Sequence, residues 1–240
     1  MLRTLLATLS LLVILLAAPT LRAQTPASDL MAKLGVYAER FETMRKNASY
    51  VVEGKLDSLD GSGRTESTKF MRARVDSDGH TTQFSVLQYL EDGQDKTAEA
   101  KDKQKKREAD AKNDPPSHKR AWRMPFHPGE QPRYYFNQVE VDAQNPSRVR
   151  IAFVPKIVED DTIEGSAWVD VRAGTIVTTG FKLSKPPSII DSVHVTMMFG
   201  ESTSLGPAPS RIAVDAHGGV LFLRKHYHGE ATLSQYRIAP

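Results

Sequence analysis

Hydrophobic residues recur at helical spacing along the segment Ser28–Asn47. A repeat of three and four residues places them on one face of a helix, and Ser28 or Asp29 is suited to the N-cap position. The segment therefore predicts an amphipathic helix whose apolar face requires a partner. The residues of that face are Leu30, Leu34, Tyr37, Phe41 and Met44.

A period of two replaces the helical period after this segment. In residues 49–59, for example, Tyr50, Val52 and Leu56 alternate with acidic and basic residues. Such alternation predicts half-buried antiparallel strands, and glycine, proline and aspartate mark the turns between them. About eleven strands are predicted, at 49–59, 65–75, 81–90, 133–142, 148–154, 165–172, 175–183, 192–200, 210–215, 219–227 and 232–238.

Residues 91–114 interrupt the strand pattern with lysine, glutamate, aspartate, glutamine and alanine; such a stretch can form a solvated helix, but it has no apolar face to bury. We interpret residues 91–124 as a basic, mobile insertion that trypsin cuts early and that can be deleted without unfolding the rest. Three roles remain open: a surface loop, a docking arm for a protein, or an arm that touches an anionic membrane through residues 101–123. Aromatic and basic residues at 120–126 suit an interfacial or lid-like contact.

The order of elements predicts an α+β fold: a curled, mostly antiparallel sheet with the N-terminal helix packed across its concave face. The inner side chains would make an apolar concavity in which Phe153, Met197 and Phe199 border solvent or a guest. Trp168 alternates with the apolar residues of its strand and can lie either at the rim or in the core. The predicted guest-binding residues are Met71, Phe84, Phe153, Trp168, Val195, Met197 and Phe199.

The first 23 residues have the layout of a secretory signal peptide. Arg3 precedes an apolar run at 5–18, and Pro19 breaks that run before a cleavage zone. We expect cleavage after Ala23, which leaves residues 24–240 as a single periplasmic domain. Leu21 is large for a position three residues before the cut, so an uncleaved N-terminal anchor is the alternative.

Charge and cysteine content narrow the class of protein. The formal net charge of the whole chain is +3, but the excess of positive charge is concentrated in residues 101–123. A nucleic-acid interface would spread lysine and arginine over a whole face, so we predict no nucleic-acid partner. The chain has no cysteine, which excludes disulfides and thiolate chemistry. We expect a monomer without a cofactor.

Candidate catalytic and metal-binding patterns are weak. The G-x-S-x-G motif of many serine hydrolases is absent, and Glu159, Asp160 and Asp161 are consecutive, which favours a solvated loop over a catalytic pair. His226 and His228 would point to one side of a strand and could supply two metal ligands, but the sequence identifies no third. We therefore predict a protein that is not an enzyme and that binds no metal.

Residues 165–176 have the sequence GSAWVDVRAGTI. They resemble an element of the outer-membrane lipoprotein-sorting proteins, relatives of the periplasmic lipoprotein carrier. In that element a strand, an aspartate, a turn and a second strand follow one another. The order of signal peptide, helix, three strands and a long series of strands is also similar. Val171 stands where many members have proline, and residues 91–124 look like an insertion. The arginine that fastens the lid in the carriers could correspond to Arg40, Arg45, Arg72 or Arg74.

The resemblance implies an unclosed barrel with helices across its mouth and the transport or sensing of acyl chains inside it. The leading hypothesis is thus an exported envelope protein that binds or carries a lipid or the acyl chains of a lipoprotein. The alternative is a non-catalytic envelope interaction or sensor module whose interior is filled by its own side chains.

Overall fold

The computed structural model describes residues 24–113, 123–187, 190–220 and 223–239. The predicted signal peptide and residues 114–122 of the basic insertion lie outside the described residues. Helix α1 is followed by three long strands, a short strand and helix α2, then by a 3₁₀ turn and seven strands. The elements are α1 Ser28–Asn47, β1 Ala48–Leu59, β2 Thr65–Ser77, β3 Thr82–Glu91, β4 Gln94–Asp95, α2 Thr97–Asn113, the 3₁₀ helix Gln131–Arg133, β5 Tyr134–Val141, β6 Arg148–Pro155, β7 Ile163–Asp170, β8 Thr175–Leu183, β9 Ile190–Thr203, β10 Gly206–Val220 and β11 Leu223–Ile238.

The described strands form one antiparallel sheet in the order β4-β3-β2-β1-β11-β10-β9-β8-β7-β6-β5. Two meanders make up this order, β1 to β4 and β5 to β11, and the pairing of β1 with β11 joins them. The terminal strands β4 and β5 do not pair with each other within the described ranges, so the sheet is unclosed. This is the predicted α+β architecture.

Helix α1 has the predicted bounds and covers one face of the sheet, which we call the inner face. All five residues of its predicted apolar face are buried, and the helix contacts β2, β8 and β10. The residue that caps its N-terminus is Ala27, which makes no side-chain capping bond, so the prediction of Ser28 or Asp29 was wrong. At the other end, the backbone N–H groups of Gly79 and Ala239 donate to the carbonyls of Lys46 and Asn47, both at 2.8 Å.

The element that carries the family resemblance is a tight turn between β7 and β8. The backbone N–H groups of Arg172 and Ala173 donate to the Asp170 carboxylate, each at 2.9 Å. Gly174 has a φ of 66°, and a Cβ at this position would lie 2.5 Å from the Cβ of Lys33 on α1. Glycine is needed here both for the backbone conformation and for close contact with the helix.

The last two strands are longer than the sequence pattern indicated. His217, Gly218 and Gly219 were expected to form a turn, but they continue β10 and pair with β11. The strand break predicted after Tyr227 is also wrong, since Gly229 is paired on both sides. Glycine accepts extended backbone when neighbouring strands supply its hydrogen bonds, so its presence alone does not end a strand.

Helix α2 occupies much of the basic insertion and lies along the outer edge of β3. The side-chain amide of Gln104 accepts from the backbone N–H of Val86 at 3.2 Å and donates to the carbonyl of Phe84. One side chain thereby satisfies two backbone groups that an edge strand would otherwise leave open. No helix within the described ranges combines the length and apolar composition needed to cross a membrane.

The acidic run at 159–161 has a structural role. Arg133 donates to Glu159 at 2.5 Å, to Asp161 at 2.7 Å and to the buried Glu130 at 2.6 Å. These hydrogen bonds raise the pKa of Arg133, with Asp161 as the largest cause and Glu130 next. The loop between β6 and β7 is thus tied to the 3₁₀ turn, whereas the sequence favoured a solvated loop.

We predict that Gln104→Leu releases α2 from the edge of β3 with little loss of global stability. The bulk of α2 is exposed and its apolar surface is small, so the amide contacts provide much of its docking. Amide exchange at Val86 and trypsin cleavage in 101–107 should both become faster, while the urea midpoint changes little. Lys105→Ala, an exposed neighbour, is the matched control for amide exchange. Equal exchange rates at Val86 in the two variants would contradict the assigned contact.

Candidate functional site

An apolar cavity of about 180 Å³ lies between the C-terminal half of α1 and the inner face of the sheet. It sits where α1 passes into β1, opposite strands β9, β10 and β11. Ala48 is at this junction, and its small side chain leaves room that a longer one would fill. The lining residues are Phe41, Met44, Arg45, Ala48, Tyr50, Met197, Pro209, Ile212, Leu233 and Tyr236.

Two stacked tyrosines form one wall of this cavity. The rings of Tyr50 and Tyr236 have centroids 5.0 Å apart and planes inclined by 21°. The Tyr236 hydroxyl donates to the carbonyl of Pro209 at 2.9 Å. Burial raises the pKa of both phenols, so both stay neutral at physiological pH. The wall therefore presents aromatic faces to the cavity while a hydrogen bond fixes the outer end of one ring.

Arg45 is the charged residue of the lining, and it is exposed at the mouth of the cavity. Its position in the last turn of α1 lets the aliphatic part of the side chain lie along apolar surface while the guanidinium reaches water. An apolar cavity with a cation at its entrance is suited to an apolar chain that ends in an anionic group.

The middle of α1 is held against the sheet by aromatic contacts and one buried hydrogen bond. Phe199 of β9 meets Tyr37 and Phe41 edge to face, with ring centroids 6.3 Å and 5.9 Å apart. The Tyr37 hydroxyl donates to the carbonyl of Pro207 at 2.7 Å. Burial raises the pKa of Tyr37, which keeps this hydroxyl protonated and able to donate.

An ionic cluster fastens the outer side of α1 to the segment that follows the insertion. The Glu42 carboxylate lies 2.8 Å from Lys46 Nζ, 3.0 Å from Arg123 Nε and 3.2 Å from His127 Nε2. The hydrogen bond from Lys46, followed by that from Arg123, holds the pKa of Glu42 below its ordinary value against the opposing effect of burial. Glu42 thus links the helix to residues 123–127.

The part of the inner face near β5 and β6 is filled by the chain's own side chains. Phe126 inserts beside Phe136 and Phe153, with ring centroids 5.4 Å and 5.8 Å away, and Met124 is buried next to them. Met124 and Phe126 belong to the segment that was predicted to make a lid-like contact. They make this part of the inner face packed core.

The structure separates the predicted guest-binding residues. Met197 lines the cavity. Phe153 and Phe199 are packed, with 1% and 7% of their surface exposed. Of the others, Val195 is half-buried against the core and also borders a separate groove. Trp168 lies on the opposite, outer face beside Arg150. Met71 and Phe84 are half-buried on β2 and β3 and do not line the cavity.

Several lining residues were not predicted as site residues. Ile212 and Leu233 occupy inner positions of predicted strands, but strand periodicity gives no information on which strands meet beneath the helix. Tyr50 was recognised as an alternating residue, and its stacking with Tyr236 depends on the pairing of β1 with β11. Arg45 was one of four arginines between which the sequence offered no choice.

The outer face carries two further features. A groove of about 370 Å³ runs over β7, β8 and β9 and includes Val154 and His194. Next to it, large apolar side chains are exposed, including Tyr135 at 61% and Ile157 at 71%. Tyr135 is also approached by the ammonium of Lys156, 5.4 Å from the ring centroid. This surface is a candidate contact area for a protein partner.

Comparison with known proteins gives similar solved structures at low sequence identity. No family model matches the chain, and no curated protein matches it by sequence. A LolA superfamily protein from Nitrosomonas europaea is 10% identical, with a TM-score of 0.38 over 85% of this chain and 92% of that one. A domain described as outer membrane lipoprotein-sorting, from Vibrio parahaemolyticus, is 12% identical, with a TM-score of 0.38 over 87% and 93%.

A DUF1329 family protein from Desulfovibrio piger is 10% identical, with a TM-score of 0.40 over 87% of this chain and 92% of that one. The first two structures bear names of the family that residues 165–176 resemble.

We predict that Phe199→Ala lowers the free energy of unfolding by about 3–5 kcal/mol, the usual cost of truncating a packed phenylalanine. This replaces the sequence-based expectation of a residue that borders a guest, for which a loss of about 1–2 kcal/mol would follow. Met197→Ala, beside an existing cavity, should cost about 2 kcal/mol. Urea unfolding measures both. A smaller loss for Phe199→Ala than for Met197→Ala would show that the phenylalanine is not packed beneath α1.

We predict that Glu42→Gln lowers stability by about 1 kcal/mol at pH 7 and that the difference disappears in acid. A carboxyl whose folded pKa lies below its ordinary value of 4.5 stabilises the protein above that value. This contribution is lost as the pH falls through the folded pKa. Urea unfolding from pH 7 to pH 3 measures the effect. Glu39→Gln, exposed on the same helix, should match the parent throughout.

Proposed function

We propose that this protein is an envelope protein that binds, in the cavity beneath α1, an apolar guest with an anionic end, such as a fatty acid or the acyl part of an anionic lipid. The observation that carries the proposal is the cavity itself. Its lining is apolar and aromatic, and Arg45 stands at its mouth.

The size of the cavity indicates how much of a guest it accommodates. An apolar cavity of about 150 Å³ is enough to bind benzene. The cavity of about 180 Å³ therefore accepts a benzene-sized group or a short part of an acyl chain. A longer chain needs more room than this cavity offers, and so requires a displacement of α1 from the sheet.

The contacts of α1 suit it to act as a lid. Its inner side meets the sheet through apolar and aromatic side chains and the hydrogen bond of Tyr37, while the ionic contacts of Glu42 lie at its outer side. An apolar guest replaces one set of apolar contacts with another, so opening costs less than it would for a helix held by buried ion pairs.

The cellular compartment in this proposal is inferred from the sequence. The layout of residues 1–23 supports export, and the resemblance of residues 165–176 to lipoprotein-sorting proteins supports a location in the periplasm. Within this proposal the partners are lipids or lipoprotein acyl chains. The basic residues of 101–123 supply attraction to an anionic membrane surface, and the protein does no catalysis.

A second candidate function is a non-catalytic interaction module. It is favoured by the packing of Phe126 into the interior and by the apolar side chains exposed on the outer face, Tyr135, Val154, Ile157 and Val158. In that case the filled inner face is core, and the outer surface receives a protein segment.

The test is a titration of the purified mature chain with a fluorescent polyene fatty acid. Leu233→Phe fills the cavity and should weaken binding at least about tenfold, a change of about 1.4 kcal/mol. Leu56→Phe is the matched control on the adjacent strand, because Leu56 is 40% exposed and outside the lining, whereas Leu233 is 6% exposed. Binding to the control should equal binding to the parent.

Arg45→Gln measures how much the anionic end of the guest contributes to binding. It should weaken binding of the fatty acid and leave binding of its methyl ester unchanged. A parent protein that binds neither probe would overturn the proposal and favour the interaction module. If the parent protein binds the fatty acid, mass spectrometry of lipids that copurify from an envelope fraction would identify the class of the natural guest.

A further inference from the structure

Three histidines and one aspartate meet on the outer face of the β10–β11 hairpin, on the opposite side of the sheet from the cavity. The extension of β10 through His217 creates this group, because His217 then pairs with His226, and Asp215 pairs with His228. Directly paired residues project to the same face, and so do residues two apart along one strand. The sequence showed only the pair His226 and His228.

The distances within this histidine cluster, Asp215, His217, His226 and His228, are those of a ligand set. The Asp215 carboxylate lies 3.1 Å from His226 Nε2 and 3.5 Å from His217 Nδ1. Candidate ligand atoms of Asp215, His217 and His226 all lie within 4.8 Å of one another. Bonds of about 2.0–2.1 Å to a tetrahedral ion place ligand atoms about 3.3–3.4 Å apart, so small side-chain rotations suffice.

A catalytic triad does not account for the geometry of the histidine cluster. Ser192 Oγ lies 3.4 Å from His217, but it faces Nδ1, the same ring nitrogen that Asp215 approaches. A catalytic triad needs the serine and the acid at different nitrogens. The rings of His217 and His226 stack with centroids 3.9 Å apart, so the Asp215 carboxylate has two neighbouring imidazoles beside it.

We propose that Asp215, His217 and His226 form a binding site for a divalent transition-metal ion of the zinc or copper class, with His228 or water as the fourth ligand. Imidazole nitrogens favour Zn²⁺ and Cu²⁺ over Mg²⁺ and Ca²⁺, which prefer oxygen ligands. His228 Nδ1 is 3.4 Å from Asp215 and needs only a local movement to take part. The ion links two strands that are already paired, so the backbone is in place before binding.

The test uses chelator-treated mature protein without a histidine tag. Calorimetric titration with Zn²⁺ should show about one ion per chain, and Mg²⁺ should not bind. His217→Ala and His226→Ala should each weaken Zn²⁺ binding at least about tenfold, since loss of even an outer-shell partner costs about 10–100-fold. His80→Ala is the control, because His80 lies in the β2–β3 turn at the opposite end of the strands.

A spectroscopic measurement makes the test independent of folding of the variants. The electron paramagnetic resonance spectrum of the Cu²⁺-loaded parent should show coupling to at least two imidazole nitrogens. An all-oxygen spectrum would overturn the site, and so would Zn²⁺ binding that is equal in the parent and in both folded alanine variants. Zn²⁺ binding that survives in His80→Ala and is lost in His226→Ala supports it.

Discussion

The structure depends on the burial of the inner face of one very wide sheet. An antiparallel sheet of this kind has an apolar side that no second sheet covers, and burial of apolar surface is the main force that holds the fold together. Helix α1 covers the part formed by β8 to β11 and β1, and Met124 with Phe126 covers the part near β5 and β6. Glu42 connects these two covers, so they form one continuous layer over the sheet.

The cavity arises because helix α1 does not meet the sheet closely along its whole length. A straight helix meets a curved sheet closely only along part of its length, and here the close contact is at Tyr37 and Phe41 over Phe199. Two turns further, the chain leaves α1 for β1 at Ala48, whose small side chain does not fill the space. Binding is therefore proposed at the end of the helix, while the middle of the helix supplies stability.

The sequence was informative wherever a local pattern determined the outcome. The helix bounds, the buried face of α1, the antiparallel class and the Asp170 turn all follow from periodicity or turn chemistry. The candidate site, in contrast, depends on contacts between residues that are far apart in the sequence. Periodicity assigns Phe199 to the inner face, but it does not reveal that Tyr37 lies above it. Glycine in His217–Gly219 misled the strand assignment, and only the pairing of β10 with β11 brought His217 next to His226. The role of Gln104 was equally hidden, because a polar residue in a charged helix has no pattern that marks a contact with a strand edge.

The pairing of β1 with β11 also sets the order in which the chain can fold. Every other described pairing joins strands that are neighbours along the chain, so each meander can form early through local contacts. The joint between β1 and β11 brings together residues such as Ala48 and Ile238, and it requires nearly the whole chain. Until β11 has been synthesised and has paired with β1, helix α1 lacks part of the surface that it covers. The nascent chain therefore exposes an apolar helix during synthesis, which is the stage at which a chaperone is most needed.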